Sequence, residues 1–516
     1  MGQTISRRSI LKGTAALAGA SASFGGIRRA RAARERLVIR QERDIQNLDP
    51  AFRIGVVEGN VMRAVYQRLV SFKPGSLDYV PDAAAEIKQP NDKLIEFTLK
   101  PGLAFTGGYG EVTAEDVKFS FERFNSATKD GKKSAYASDW GALEAVEVTG
   151  KLSGRIHLKR PAPALWRVTL CDGSGAIVSR KAFEALGDKV ATKAIGSGAY
   201  VMADWAPGQQ LVLRANSDYR GPKPAFREIV IKPVPEMKTT EIAFRAGELD
   251  FTRVDAAAAD TFEKLPDARL VKMSGFEYIW VGLNVEKAPL DSPKVRQGIR
   301  LAIDVDQAVL AGYNGKVSRA NAMIQPSLLG YWKDAPTHRH DVAAARKLLA
   351  EGGQPNGFKT RLTLLNTAEY KTMAQVIQAN LAEVGIQCEL DVRDAGTFWG
   401  SGKGDQGKQL DLSLQRFSAK MDPSFTSQWF VSEQVGVWNW QRWANPEFDR
   451  LHVLADSTND AAKRAEAVIR MQQLMDESAA FVWLTHGASI FAARKWLQPA
   501  ILPNGTDWQF EFFREA

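Results

Sequence analysis

The chain has 516 residues, 45% of them hydrophobic and 25% charged, which excludes a short peptide or disordered tail and leaves room for two to four domains at about 150 residues each. Two cysteines, Cys171 and Cys388, are too few for a disulfide framework or a structural zinc cluster, and read as buried thiols or one long-range disulfide. The formal charge of +9 invites a nucleic-acid partner, but six basic residues and no acid fall in the first 32 positions, and the remainder, with 62 basic and 59 acidic residues, is nearly balanced.

The basic excess marks the N-terminus. Ser6-Arg7-Arg8-Ser9-Ile10-Leu11-Lys12 precedes an Ala/Gly-rich apolar run from Thr14 to Gly26 and the small-x-small site Ala30-Arg31-Ala32. This resembles a twin-arginine export signal over residues 1–32, which implies a mature protein that is soluble in the periplasm. No later segment reaches the roughly 18 uninterrupted apolar residues of a membrane span.

Leu37-Val38-Ile39-Arg40 predicts a strand closed by the Asn47-Leu48-Asp49-Pro50 turn. Val57, Val61, Val65 and Leu69 recur at helical spacing over Val56 to Val70. Ile95 to Leu99 alternates as a half-buried strand does, and Thr113-Ala114-Glu115-Asp116 resembles a capping box for a helix burying Val117, Phe121 and Phe124. Leu211–Leu213 and Ile229–Ile231 read as strand cores, Ser292-Pro293 as a helix N-cap with proline at N1, and Asp341 as a further cap. From Thr367 to Val392, an apolar helical face (Met373, Val376, Ile377, Leu381, Val384) leads through Gly385 into the alternating strand Ile386, Cys388, Leu390, Val392. Helix leading directly to strand is an α/β building block.

Catalytic and metal signatures are absent. Gly402 to Lys408 approaches a phosphate-binding loop, but Gln409 replaces the required hydroxyl residue and Leu410 to Leu414 alternates like a strand. The histidines at 157, 338, 340, 452 and 486 are too scattered for a metal site, and no nucleophile elbow occurs. Neither a catalytic residue nor a cofactor or metal is expected. Aromatic residues are denser: Trp429, Phe430, Trp438, Trp440 and Trp443 follow Trp399 and Phe417, beside Arg416, Asp422 and Asn439. Such a group forms either a ligand pocket or a packing cluster. Trp438 and Trp440 would share one face of an extended segment.

Together the residues resemble the extracytoplasmic solute-binding proteins (family 5) of peptide/nickel-type ABC importers. The resemblance rests on Leu48-Asp49-Pro50, Tyr66 to Val70, Pro81 to Ala84, Phe97 to Phe105, Thr113 to Val117, Gly196 to Tyr200, Asn216 to Tyr219 and Ala246 to Asp250 in the N-terminal half. Val295-Arg296-Gln297, Ala302-Ile303-Asp304, Ala344 to Leu349, Leu381 to Ile386 and Asn445 to Asp449 extend it.

It implies an α/β bilobal periplasmic-binding-protein fold with an extra N-terminal subdomain. Lobe I would span 33–282 with the subdomain at about 69–195, lobe II 283–485, and a C-terminal return 486–516. Crossover strands are expected at Tyr278 to Gly282 and Phe481 to Leu484. The implied function is capture of a small organic solute by hinge closure and its delivery to permease subunits served by cytoplasmic ATPases, by a monomer without covalent chemistry. An exported hydrolase, or a sensory or chaperone-like binding protein, would use the same cleft.

In peptide-binding relatives an Asp about three residues before the Asp-Pro step pairs with the peptide's amino terminus. Before Asp422-Pro423 that place holds Ala419, with Lys420 beside it, and Thr367 to Tyr370 offers no Arg of the dipeptide-binding kind. Unpaired peptide termini would cost about 1–3 kcal/mol each or more, so an anionic or amide-rich solute, such as an opine-like compound or a modified peptide, is expected instead. The candidate ligand-binding residues are Phe52, Trp280, Trp399, Arg416, Asp422, Trp429, Trp438 and Trp440. Arg416 would hold a carboxylate or phosphate, or else form a structural ion pair.

Overall fold

Alternating burial turns Arg36–Gln41 into a strand that sinks Leu37 and Ile39 completely. The computed structural model describes residues 34–53, 55–126 and 134–516, and the expected export signal at 1–32 lies outside the described residues. Arg36–Gln41 is the central strand of a seven-stranded mixed sheet, in the order Tyr200–Ala206, Gln210–Ala215, Glu228–Pro233, Arg36–Gln41, Phe251–Val254, Ala488–Arg494, Ala268–Ser274. A five-stranded sheet runs Gln387–Arg393, Lys359–Leu365, Leu412–Ser418, Glu277–Leu283, Phe481–Thr485. A four-stranded antiparallel sheet, Ala84–Asn91, Leu94–Leu99, Ser153–Leu158, Leu143–Val148, packs beside helix Ala114–Glu122. The result is a bilobal α/β fold with a smaller sheet attached to its N-terminal half.

The chain passes between the two large sheets twice. It leaves Ala268–Ser274 through Gly275 and Phe276 into Glu277–Leu283, and returns from Phe481–Thr485 through His486 and Gly487 into Ala488–Arg494. The two linkers touch: the Gly275 amide donates to the Gly487 carbonyl at 3.2 Å. Gly487 sits at φ +68°, where a side chain would be strained.

The crossing strands are buried on both faces. Ile279, Val281 and Leu283 meet the layer built by helices Pro293–Ala302, Val305–Tyr313 and Ala368–Glu383. Tyr278 and Trp280 face the other way, toward Phe430, Trp483 and helix Ala461–Ser478. Strands covered on both sides read as continuous apolar runs, as Tyr278 to Val281 does.

Most local expectations hold. Thr113 and Asp116 form the capping box, with Thr113 Oγ1 donating to Asp116 at 2.7 Å. Asp341 accepts the Ala344 amide at 2.9 Å, and Thr367 to Val392 folds as helix Ala368–Glu383 and strand Gln387–Arg393 around Gly385 at φ +83°. The helical run expected to Val70 ends at Val65, because Tyr66 turns extended and Val70 enters a strand. Pro293 opens its helix at N1, but the Ser292 side chain makes no cap bond. Cys171 and Cys388 are both buried and free, in separate cores, so no long-range disulfide forms. Among the described residues, no helix is long and apolar enough to cross a membrane.

Candidate ligand-binding site

Strand Leu412–Ser418 pairs with the crossing strand Glu277–Leu283, and its far end carries Phe417 out of the sheet. Three half-buried tryptophans gather on that ring: Trp399 stacks on it at 6.2 Å, and Trp438 and Trp429 meet it edge-on at 5.9 and 6.2 Å. Phe425 extends the row, perpendicular to Trp429 at 5.6 Å. Offset and edge-on rings at these spacings are favourable arrangements, and incomplete burial leaves ring surface for a ligand.

Trp280 and Trp440 stand behind this wall. Trp280 is fully buried and meets Phe417 at 5.2 Å, while Trp440, 2% exposed, packs on Phe398 at 5.1 Å and Trp399 at 6.3 Å. Residues 438–440 lie in a turn rather than a strand, so Trp438 joins the wall and Trp440 a separate core. The expectation of one shared face is corrected accordingly.

Charge gathers at one end of the wall. Lys420 Nζ lies 4.8 Å over the Phe425 ring and 2.8 Å from Asp139 Oδ1, a carboxylate carried by the N-terminal half. Asp139 also accepts from Ser174 at 2.7 Å. The buried Arg53 lies 3.8 Å from Asp139 and 3.6 Å from Asp172, with its guanidinium 3.6 Å over the Tyr136 ring. Its neighbour Phe52 is half-buried against the same core. Lys403 reaches the opposite end, 5.9 Å over Trp438.

Two sequence candidates are engaged elsewhere. Asp422 is 1% exposed, accepts two bonds from Arg464 at 2.7 and 2.8 Å, and caps the short helix Pro423–Ser427. Asp422 is thus held in a buried ion pair and a helix cap. Arg416, next to Phe417 in the strand, donates to Glu277 at 2.5 Å, beside Gly487 of the crossing. The structure thus brings together Trp399, Trp429 and Trp438, backs them with Trp280 and Trp440, sets Phe52 next to the ionic group, and places Arg416 and Asp422 in ion pairs.

Sequence reasoning missed Arg53, Tyr136 and Asp139, and it noted Lys420 only as the neighbour of Ala419. No local pattern marks Asp139, which meets Lys420 across 281 positions of chain.

The wall can hold an apolar or planar body, and the Lys420–Asp139–Arg53 group can exchange partners with a charged one. Among the described residues, no three His, Cys, Asp or Glu side chains come together to hold a metal ion. A serine–histidine contact exists, Ser427 Oγ to His452 Nδ1 at 2.8 Å, but Ser427 is fully buried and out of reach of a substrate.

Residues 78–438 match the family model of bacterial extracellular solute-binding proteins, family 5 Middle. The chain is 30% identical over 471 residues to a probable D,D-dipeptide-binding periplasmic protein, DdpA, of Escherichia coli K12, covering 87% of this chain and 88% of that protein. It superposes on HbpA2 from Haemophilus parasuis with a TM-score of 0.86 at 22% identity, over 93% of this chain and 100% of that one. It also superposes on the PBP/SBP MoaA of A. tumefaciens R10 in complex with mannopinic acid, with a TM-score of 0.71 at 25% identity, over 94% of this chain and 100% of that one. The chain belongs to the family 5 bacterial extracellular solute-binding proteins and serves as the solute-binding component of an ABC importer.

Proposed function

We propose that the protein is exported to the periplasm through its residues 1–32 and there captures, as a monomer, an anionic or amide-rich organic solute. A modified peptide or an opine-like compound fits this description. Residues 33–282 and the return 486–516 make one lobe, with a subdomain over about 69–195, and residues 283–485 make the other. Ligand contacts with both lobes favour closure about the Gly275 and Gly487 linkers, and the permease reads the closed state.

The observation that carries this reading is the aromatic wall of Trp399, Phe417, Trp429 and Trp438 ending on the Lys420–Asp139 pair, which joins the C-terminal lobe to the N-terminal half. An apolar or planar body would rest on the rings while its acidic group takes Lys420 from Asp139. The absence of an acid at Ala419 and the MoaA complex with mannopinic acid both support an acidic ligand over a peptide with a free amino terminus.

Native mass spectrometry of protein purified from its own periplasm, followed by denaturation, should release an acidic small molecule. Titrated back, that molecule should bind Trp438→Ala and Lys420→Ala at least tenfold more weakly, as central contacts do. Unchanged affinity in both, and in Trp429→Ala, would place the ligand elsewhere.

A further inference from the structure

A cavity of about 170 Å³ lies away from the aromatic wall, where helix Val56–Val65, strands Val70–Phe72 and Tyr79–Pro81, the loop at 219–222 and the C-terminal residues 509–512 meet. Its lining is unusually charged for an interior: Arg63, Arg68, Lys100 and Arg220 against Asp82 and Glu511. Arg63 is neutralised by Asp507 at 2.6 Å and Asp172 at 3.2 Å. Asp82 is engaged by the Arg68 amide and the Gln67 side chain, both at 2.9 Å.

Arg68 has no such partner. It is 2% exposed, its Nε and Nη1 donate to the carbonyls of Asp172 and Tyr66, and Nη2 donates to nothing among the described residues. Glu511 lines the same cavity with its Oε2 buried and unpartnered, and burial pushes its carboxyl up to about 7. Gln67 Oε1 and Gln509 Oε1 are likewise buried without partners. Lys100 and Arg220 form no ion pair among the described residues. A buried guanidinium nitrogen and several buried acceptor oxygens left without hydrogen bonds around one cavity are costly, unless something between them satisfies both.

We propose that this cavity is a second binding site, for a small solute that combines an oxyanion with a hydrogen-bond donor. At about 30 Å³ per water-sized group, the cavity takes about five heavy atoms. Inorganic phosphate in its hydrogen-bearing forms and glycine share that size and chemistry. The oxyanion lies toward Arg68, Lys100 and Arg220, and the donor toward Glu511, Gln67 and Gln509. Water could satisfy the same atoms, but an oxyanion adds charge-assisted bonds to Arg68, Lys100 and Arg220 that water does not.

Thermal unfolding of the purified protein with inorganic phosphate, with glycine, and with sodium chloride at matched ionic strength tests the site. A saturable rise in Tm with phosphate or glycine, beyond that in chloride, is expected, and the responding solute identifies the source. Lys100→Ala/Arg220→Ala, which removes cations from the half-buried and exposed rim and spares the core, should weaken the response about tenfold. Lys420→Ala should leave it unchanged, which separates this cavity from the aromatic wall. No saturable rise with either solute, an equal rise in the double variant, or crystals soaked in both that hold only water in the cavity would overturn the proposal.

Discussion

Asp422 and Arg464 are both almost wholly buried, and two short bonds join them. Asp422→Ala should therefore cost about 3–5 kcal/mol of stability by stranding a buried guanidinium. Urea unfolding measures this, and ligand affinity of the folded variant should stay at the parent value. Two other buried groups titrate in opposite senses. Burial holds His486 down at about 4, its Nε2 lying 3.0 Å from the Ala322 carbonyl. Its stabilising contribution is complete above the unfolded value of about 6.5 and is lost as pH falls toward 4. Glu511, raised to about 7, behaves conversely: its contribution is complete below the unfolded value near 4.5 and is lost as pH rises through 7. Between about pH 4.5 and 6.5 the two nearly offset. Urea midpoints at pH 5 and 7 should therefore diverge between variants, with His486→Gln relatively more stable at pH 5 and Glu511→Gln relatively more stable at pH 7. Neither residue carries a sequence signal, because their shifts come from burial by distant segments. Arg416 shows the same limit: its type suggested an anion or an ion pair, and its partner Glu277 lies 139 positions away.

At the scale of single elements the sequence was far more legible. The helix-to-strand unit from Thr367 to Val392 and the capping box at Thr113 are set by residues within a few positions of one another, and both form where expected. Thr113→Ala should accordingly cost about 1 kcal/mol, measured by denaturant unfolding, through loss of one cap. The helix at Val56 was misjudged at its end because Leu69 continues the four-residue spacing by chance although the backbone has already turned extended at Tyr66. The aromatic wall was half legible: composition located it, but only tertiary packing decides that Trp438 stays half-exposed while Trp440 enters a core. Trp280→Ala, removing the fully buried ring behind Phe417, should lower stability by about 3–5 kcal/mol and also loosen the wall, which a changed tryptophan emission on ligand addition would report.

Across the whole molecule, the architecture followed from the order of many weak patterns, while the ties between its halves did not. Lys420 reaches Asp139, and Lys316, beyond helix Val305–Tyr313, pairs with Asp260 on the other side of the crossing. Pairs of this kind contribute about 0.2–1 kcal/mol when exposed, and more where one partner is as enclosed as Asp139, whose side chain is 4% exposed. Lys420→Ala/Lys316→Ala without ligand should therefore shift the population toward separated lobes. Small-angle scattering should show a larger radius of gyration than the parent, and an unchanged radius would mean that these pairs do not restrain the hinge.

The position of Ala488–Arg494 has a consequence for synthesis. This strand lies inside the seven-stranded sheet, hydrogen-bonded to Phe251–Val254 on one side and Ala268–Ser274 on the other, and Arg494 reaches back to the carbonyls of Phe244 and Leu249. Until residue 494 has left the ribosome, the first-made sheet lacks an interior member, although all its other strands were completed more than 200 residues earlier. Contacts of such sequence separation are slow to form. The nascent chain must therefore wait, with one sheet edge uncovered, and the N-terminal half acquires its native form only once Ala488–Arg494 arrives from beyond the intervening lobe.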